Sequence, residues 1–217
     1  YKSASNLGFF IGKNFGNFFR KKKSIIENLR KSKIVINISD KQFVNNILGN
    51  YGRILTEYPF LKDFRKNKLE QFIKIDGIEN LDKIKNNKKP VVFISGHFNN
   101  FELMAMQIEK HGINLAAIYR PLNNVFLNKT MERIRTKYIC RNQIRKGRSG
   151  TRQILENLKK GNSIALMIDQ RVTEGIKIDF FGNLASTTTI PAQIIKKYQC
   201  DLVPVSYTHL RAHETNV

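Results

Sequence analysis

The chain predicts an α/β fold: a central, mostly parallel or mixed sheet flanked by helices, with a helical segment ahead of it. Three observations carry this. The runs Val91-Val92-Phe93-Ile94, Leu115-Ala116-Ala117-Ile118-Tyr119 and Ile164-Ala165-Leu166-Met167-Ile168 are continuously apolar, as strands covered on both faces are. Stretches with helical apolar spacing lie between them. No internal repeat is visible, so the alternation describes one sheet rather than a solenoid.

Taken in order, Leu7, Phe9, Phe10, Ile11, Phe15, Phe18 and Phe19 recur at mixed helical spacings and lead into Arg20-Lys21-Lys22-Lys23. An aromatic helix followed by a basic block suits a membrane interface. The plainer alternative is a helix packed on the domain with solvated lysines. Ile34-Val35-Ile36-Asn37-Ile38 has strand propensity. Ser39-Asp40 is placed to cap a helix through Phe43, Ile47, Leu48, Tyr51, Ile54 and Leu55, which stops before Pro59. Phe72-Ile73-Lys74-Ile75 alternates like a strand, and residues 77–87 read as a short helix. Phe126 to Tyr138 forms a basic amphipathic helix with Lys129, Arg133, Arg135 and Lys137; Arg141, Arg145, Lys146, Arg148 and Arg152 follow closely. Ser149-Gly150-Thr151 opens a helix carrying Ile154 and Leu158 and closing at Gly161. Residues 172–189 read as a polar loop crossing Phe180-Phe181-Gly182, Ile190 to Tyr198 as a helix, and Leu202-Val203-Pro204-Val205 as a further strand.

The first apolar run ends in Ser95-Gly96-His97-Phe98-Asn99-Asn100-Phe101-Glu102. This is a strand, a glycine turn and a histidine at the mouth of the sheet, where α/β proteins place chemistry. Gly96 supplies a turn conformation other residues resist. Asn99 or Asn100 then caps a helix through Phe101, Leu103, Met104 and Ile108. Within one helix, five residues turn the chain by about 500°, leaving His97 and Glu102 roughly 140° apart. With His97 in the loop and Glu102 in the first turn, the carboxylate can reach the ring. It would fix the tautomer, and the other nitrogen could take a proton from a substrate hydroxyl. The first-turn amides point partial positive charge at the same place. A surface histidine beside a dipole-neutralising glutamate is the ordinary alternative. In a parallel sheet the run ending at Tyr119 carries Arg120 to the rim that holds His97, and the run ending at Ile168 carries Asp169-Gln170-Arg171.

Gly96-His97-Phe98-Asn99-Asn100-Phe101-Glu102, Tyr119-Arg120-Pro121-Leu122-Asn123-Asn124, Asp169-Gln170, Phe180-Phe181-Gly182 and Thr187-Thr188-Thr189 with Pro191 together resemble the late acyltransferases of bacterial lipid A biosynthesis, within the wider lysophospholipid acyltransferase-like group. Order and approximate spacing match across residues 8–205. The glycerol-phosphate acyltransferases carry His-x4-Asp and a Phe-Pro-Glu-Gly block, which this chain lacks. The resemblance implies His97 as general base paired with Glu102, and an acyl chain moved from an acyl carrier protein thioester to a hydroxyl of a lipid A precursor. Another glycolipid or aminolipid acceptor is the alternative within the family. Arg120, Arg171, Asp169 and Asn100 are then candidate substrate-binding residues, the arginines as phosphate clamps. No metal or other cofactor is called for. Family members carry an N-terminal hydrophobic anchor and an extended linker near residues 34–38. The organisation expected is therefore an amphipathic, basic helical segment (1–33), a truncated acyltransferase domain (34–205) and a tail (206–217) resembling a translated adapter read. That tail holds His209 and His213 at a spacing that could otherwise suggest zinc.

The formal net charge of +21 attracts anionic partners: an acidic carrier protein, a phosphorylated lipid, a membrane surface or nucleic acid. Abundant Lys, Asn and Ile point to compositional bias in the amount of charge, though not in the cluster at 129–152. A nucleic-acid-binding module is the alternative from another class, but no helix-turn-helix, zinc or aromatic RNA-binding pattern is present, and no nucleic acid is expected. A scaffold that kept the fold and lost activity is disfavoured by the intact His97 and Glu102. Cys140 and Cys200 form no disulfide framework. No run of eighteen apolar residues occurs. The location expected is the cytoplasmic face of the bacterial inner membrane, peripheral or held by an anchor preceding Tyr1.

Overall fold

The three apolar runs become the middle of a parallel sheet because each can be buried on both faces. In the computed structural model, which describes residues 1–18, 22–170, 172–173 and 175–207, they are β1 (Val92–Ser95), β2 (Leu115–Tyr119) and β4 (Ser163–Met167). With β3 (Asn142–Arg145) and β7 (Leu202–Pro204) they form a five-stranded sheet in the order β3-β2-β4-β1-β7, every pair parallel. Phe19, Arg20, Lys21, Arg171, Glu174 and the tail from Thr208, with His209 and His213, lie outside the described residues; the side chain of Arg148 does too.

The chain divides into two compact units. One comprises Leu61–Gln170 with Thr189–Tyr207, and the other Tyr1–Phe60 with Arg171–Thr188. The sheet belongs to the first. Strand alternation sends Val92, Ala116, Ile144, Ile164 and Leu166 to one face. There they meet Ile154 and Leu158 of α8 (Arg148–Lys159) and Ile194 of α9 (Ile190–Tyr198). Phe93 and Leu115 point to the other face and are fully buried, as are Leu103 and Met106 of α6 (Glu102–Lys110) and Phe64 of α4 (Leu61–Arg65). Burial of one such side chain contributes about 1.5–3 kcal/mol, so the two packed faces hold the strand ends of the rim in place. The unit also contains α5 (Ile78–Asn87) and α7 (Val125–Ile134); α7 runs on into a wider π-helical turn, Arg135–Ile139.

The second unit is built on α1 (Lys2–Phe15), α2 (Lys22–Ser32) and α3 (Asp40–Glu57). Ser39 caps α3 as its sequence predicts, accepting the Gln42 N–H at 3.2 Å. α1 meets α3 through glycine. A Cβ at Gly8 would lie 2.5 Å from the Gly52 carbonyl oxygen, and one at Gly52 would lie 1.9 Å from that of Gly8. Ser5, Gly8 and Gly12 are therefore the buried residues of α1, while Leu7, Phe10, Ile11 and Phe15 are exposed. Ser5 Oγ donates to Glu57 Oε1 at 2.7 Å and closes the contact.

Four local expectations are corrected. Phe72-Ile73-Lys74-Ile75 is no strand: Glu70–Phe72 is a 3-10 turn, and the alternating residues after it pair with none of the described strands. Residues 172–189 are no simple loop, because β5 (Ile176–Phe180) and β6 (Asn183–Thr187) pair as an antiparallel hairpin. β3 was hidden inside the basic cluster; it is an edge strand in which only Ile144 is buried. The N-cap position of α6 is Phe101 rather than Asn99 or Asn100, and it is Asn99, at φ +43°, and not Gly96, that takes the left-handed conformation. No described helix is long and apolar enough to cross a membrane.

Candidate active site

β1 and β4 are neighbours in register, Ser95 opposite Met167, so the residues after each strand emerge side by side. This brings His97 to Asp169, 72 positions apart in sequence. One carboxylate oxygen of Asp169 lies 2.7 Å from the ring Nδ1, and the other accepts the main-chain N–H of His97, also at 2.7 Å. An ionised carboxylate only accepts, so Nδ1 carries the ring proton in this pairing and Nε2 is left with its lone pair. Nε2 lies 3.4 Å from Gln170 Nε2, at the long edge of hydrogen-bond range. The ring also meets Phe101 edge-on, centroids 4.7 Å apart. A Cβ on residue 96 would come within 2.9 Å of the Phe98 ring and 3.3 Å of Asp169 Oδ2, so glycine keeps the space between the two loops open. His97 remains partly exposed, as a group that must reach a substrate has to be.

Glu102 is where its sequence position predicts, in the first turn of α6, but the carboxylate on the His97 ring is that of Asp169. Oε1 of Glu102 accepts from Nε and Nη2 of Arg135, at 2.8 and 2.6 Å, with the carboxylate buried and the guanidinium part-buried. Arg135 begins the π-helical turn after α7, a backbone irregularity that recurs near functional sites. Its guanidinium also lies 5.6 Å from the Tyr119 ring centroid. Tyr119 donates in turn to Glu132 of α7, which also accepts from Arg145 of β3 at 3.0 Å. Hydrogen bonds from Tyr119, the largest cause, then Asn128 and Arg145 hold the Glu132 carboxyl well below the usual range, at about 2. A chain of polar contacts thus ties α6, α7 and the ends of β2 and β3 together around the rim.

Of the other candidates, Arg120 follows β2 at the same end of the sheet and is exposed, as a parallel arrangement requires. Asn100, in the segment between His97 and α6, is buried. Arg171 lies outside the described residues. Sequence reasoning gave Arg135 and Gln170 no part in holding His97 or Glu102; Gln170 stood out only as the partner of Asp169 in the Asp169-Gln170 motif at the end of a buried strand. Arg135 was one arginine among many in a basic helix. Phe98 and Leu122, from the loops that follow β1 and β2, and Val125, Phe126 and Leu127, in the first turn of α7, are exposed apolar side chains.

Comparison with curated proteins gave no match. The family model described as bacterial lipid A biosynthesis acyltransferase matches residues 1–214, nearly the whole chain. A parallel sheet with a histidine–carboxylate pair at its carboxyl rim accords with that match, and the chain belongs to the bacterial lipid A biosynthesis acyltransferase family, whose activity is acyl transfer.

Proposed function

We propose that the protein moves a fatty acyl chain from an acyl carrier protein thioester to a hydroxyl of a lipid A precursor, with His97 as general base. The observation that carries this is the double hold of Asp169 on His97, which directs Nε2 outward as the basic nitrogen. Nε2 takes the acceptor's hydroxyl proton as the oxygen attacks the thioester carbonyl. The tetrahedral oxyanion collapses, the C–S bond breaks, and the leaving sulfur takes the proton from the imidazolium. Base catalysis of this kind is typically worth a hundred- to ten-thousand-fold, and positioning supplies much of the rest.

In this reading Asp169 orients the base. Glu102 acts through Arg135, fixing the first turn of α6 against α7, and is a positioning residue. Arg120 and Arg171 are the candidate phosphate contacts. The exposed apolar residues following β1 and β2 support a substrate with a lipid portion. The reversed polarity of α1, small residues inward and Leu7, Phe10, Ile11 and Phe15 outward, supports work at a membrane surface, which we propose is the cytoplasmic face of the inner membrane.

Incubating the protein with an acyl carrier protein thioester and a phosphorylated lipid A precursor tests the reaction. Mass spectrometry should show one added acyl group, released by mild alkali as an ester is. Transfer only to an amine, or none to any hydroxylated glycolipid, would overturn the assignment.

A further inference from the structure

The hairpin β5–β6 carries the Phe180-Phe181-Gly182 motif, which the catalytic reading leaves unused. Among the described residues its strands pair only with each other. An isolated two-stranded hairpin is at best marginal in water, and this one sets Ile176, Ile178 and Phe180 on one face, all exposed in the folded chain. At the turn, Phe181 (φ +54°) and Gly182 (φ +70°) both take left-handed conformations. Tight turns of that kind favour Asn-Gly or Asp-Gly, because a bulky side chain resists positive φ. Phe181 is therefore unfavourable for the turn, and the residue is 48% exposed, against 62% for Phe180 and 73% for Leu184. The two rings meet edge-on, centroids 4.7 Å apart, as one aromatic tip. Nothing in the hairpin's own folding accounts for that tip.

Its neighbours do. The Asn183 side chain donates to the Lys31 carbonyl at 3.0 Å, and a Cβ at Gly182 would lie 3.9 Å from the Lys33 ammonium. The end of α2 thus runs beside the turn of the hairpin: Lys31 is exposed, the Lys33 ammonium lies near Gly182, and Val35 beyond them is 89% exposed. Asp179 is the acidic group close by, and its carboxylate is taken up by the Gly182 N–H at 3.0 Å. Aromatic side chains bordered by lysines match the two layers of a bilayer surface, acyl chains beneath and phosphates above.

We propose that the Phe180-Phe181-Gly182 tip inserts into an anionic lipid bilayer, with Lys31 and Lys33 meeting lipid phosphates beside it. This rests on the reading that the enzyme works at a membrane, and gives it a second contact separate from α1. The chain contains no tryptophan, so Phe181→Trp introduces a single reporter at the tip. With vesicles of phosphatidylglycerol and phosphatidylethanolamine, its emission should shift to the blue and be quenched by brominated acyl chains. Phosphatidylcholine vesicles should give little of either. Phe180→Ser with Phe181→Ser should weaken partition by about tenfold or more, as loss of two inserted rings requires. Lys31→Glu with Lys33→Glu should weaken it on anionic vesicles only, which keeps a test in hand should the serine variant fold poorly.

Unmoved and unquenched emission, on vesicles that sediment the protein, overturns the proposal and leaves membrane contact to α1. A blue shift without lipid that grows with protein concentration overturns it in favour of a second copy covering the tip. Failure of the protein to sediment with any vesicle removes it too. Transfer to a detergent-dispersed acceptor, assayed in parallel, reports on the catalytic reading independently.

Discussion

Asp169 grips His97 twice, at the main-chain N–H and at ring Nδ1, each at 2.7 Å. A single carboxylate thereby sets both the position of the loop and the tautomer of the ring. Asp169→Asn replaces an oxygen with an amide group that can donate, and the ring loses its fixed tautomer. The expected result is a fall in kcat of about a hundredfold or more with little change in KM. Steady-state kinetics checks this, with circular dichroism as the control for folding.

Glu102 should behave differently. Its carboxylate is buried against Arg135, so Glu102→Ala leaves a part-buried guanidinium without that partner. Breaking a fully buried pair costs roughly 3–5 kcal/mol, which sets the upper bound for this one and is a large share of the stability of a domain. Urea denaturation should therefore show Glu102→Ala to be more destabilising than Asp169→Asn, while Asp169→Asn should be the more harmful to turnover of folded protein. A Glu102 variant of normal stability but with no turnover would return Glu102 to direct contact with the base.

The rim's Glu132 gives a pH dependence whose sign can be worked out. Its folded-state pKa, about 2, lies below the ordinary value of 4.5. The stabilisation is therefore complete above pH 4.5 and fades as pH falls from there through 2, because the unfolded chain binds the proton first. The difference in urea midpoint between the wild type and Glu132→Gln should be constant near neutrality and shrink steadily on acidification below pH 4.5. A difference that grew on acidification would contradict the pairing with Tyr119 and Arg145.

The strands β1, β2 and β4 were legible because burial on both faces leaves an unbroken apolar run. The helices α3 and α9 were legible through spacing and Ser39. β3 was not, since an edge strand with one buried residue, Ile144, has no apolar run to read. The β5–β6 hairpin lacks the usual turn residues, and Lys177 and Asp179 break its apolar pattern. At the site, His97 and Asp169 were each visible as the residue after a buried strand. Their pairing depends on β1 lying next to β4, and strand order is not written in local sequence. Glu102 was located correctly, but its partner Arg135 was indistinguishable from neighbouring arginines until α7 was seen to pass into its π-helical turn.

Close approach of α1 to α3 sets up a test of the second unit. Gly52→Ala would gain about 1 kcal/mol of helix propensity. Its new Cβ, however, lies 1.9 Å from the Gly8 carbonyl oxygen, where only backbone movement can relieve the clash. Overpacking of that kind costs typically 1–3 kcal/mol, so the net effect should be destabilising. Limited proteolysis should cut between α1 and α3 faster in the variant, and equal rates would show that the helices separate at no cost.

The basic face of α7 offers a test of the donor. Arg145 is engaged with Glu132 and Arg135 with Glu102, so reversing either would disturb the rim itself. Lys129, Arg133 and Arg141 are exposed, and converting them to Glu should lower kcat/KM for the carrier-bound donor while leaving kcat nearly unchanged. Added salt should narrow the gap, since the Debye length is about 8 Å at physiological ionic strength. Full efficiency of the triple variant at low salt would exclude this face from carrier docking.

The central claim is that His97 removes the proton from the acceptor hydroxyl, and the transfer rate of His97→Ala measures it most directly. Assayed with a carrier-bound acyl donor and a lipid A precursor, and shown to be folded by circular dichroism, the variant should lose at least about a hundredfold in kcat. Turnover within a few fold of the wild type would contradict the account and remove His97 as the base.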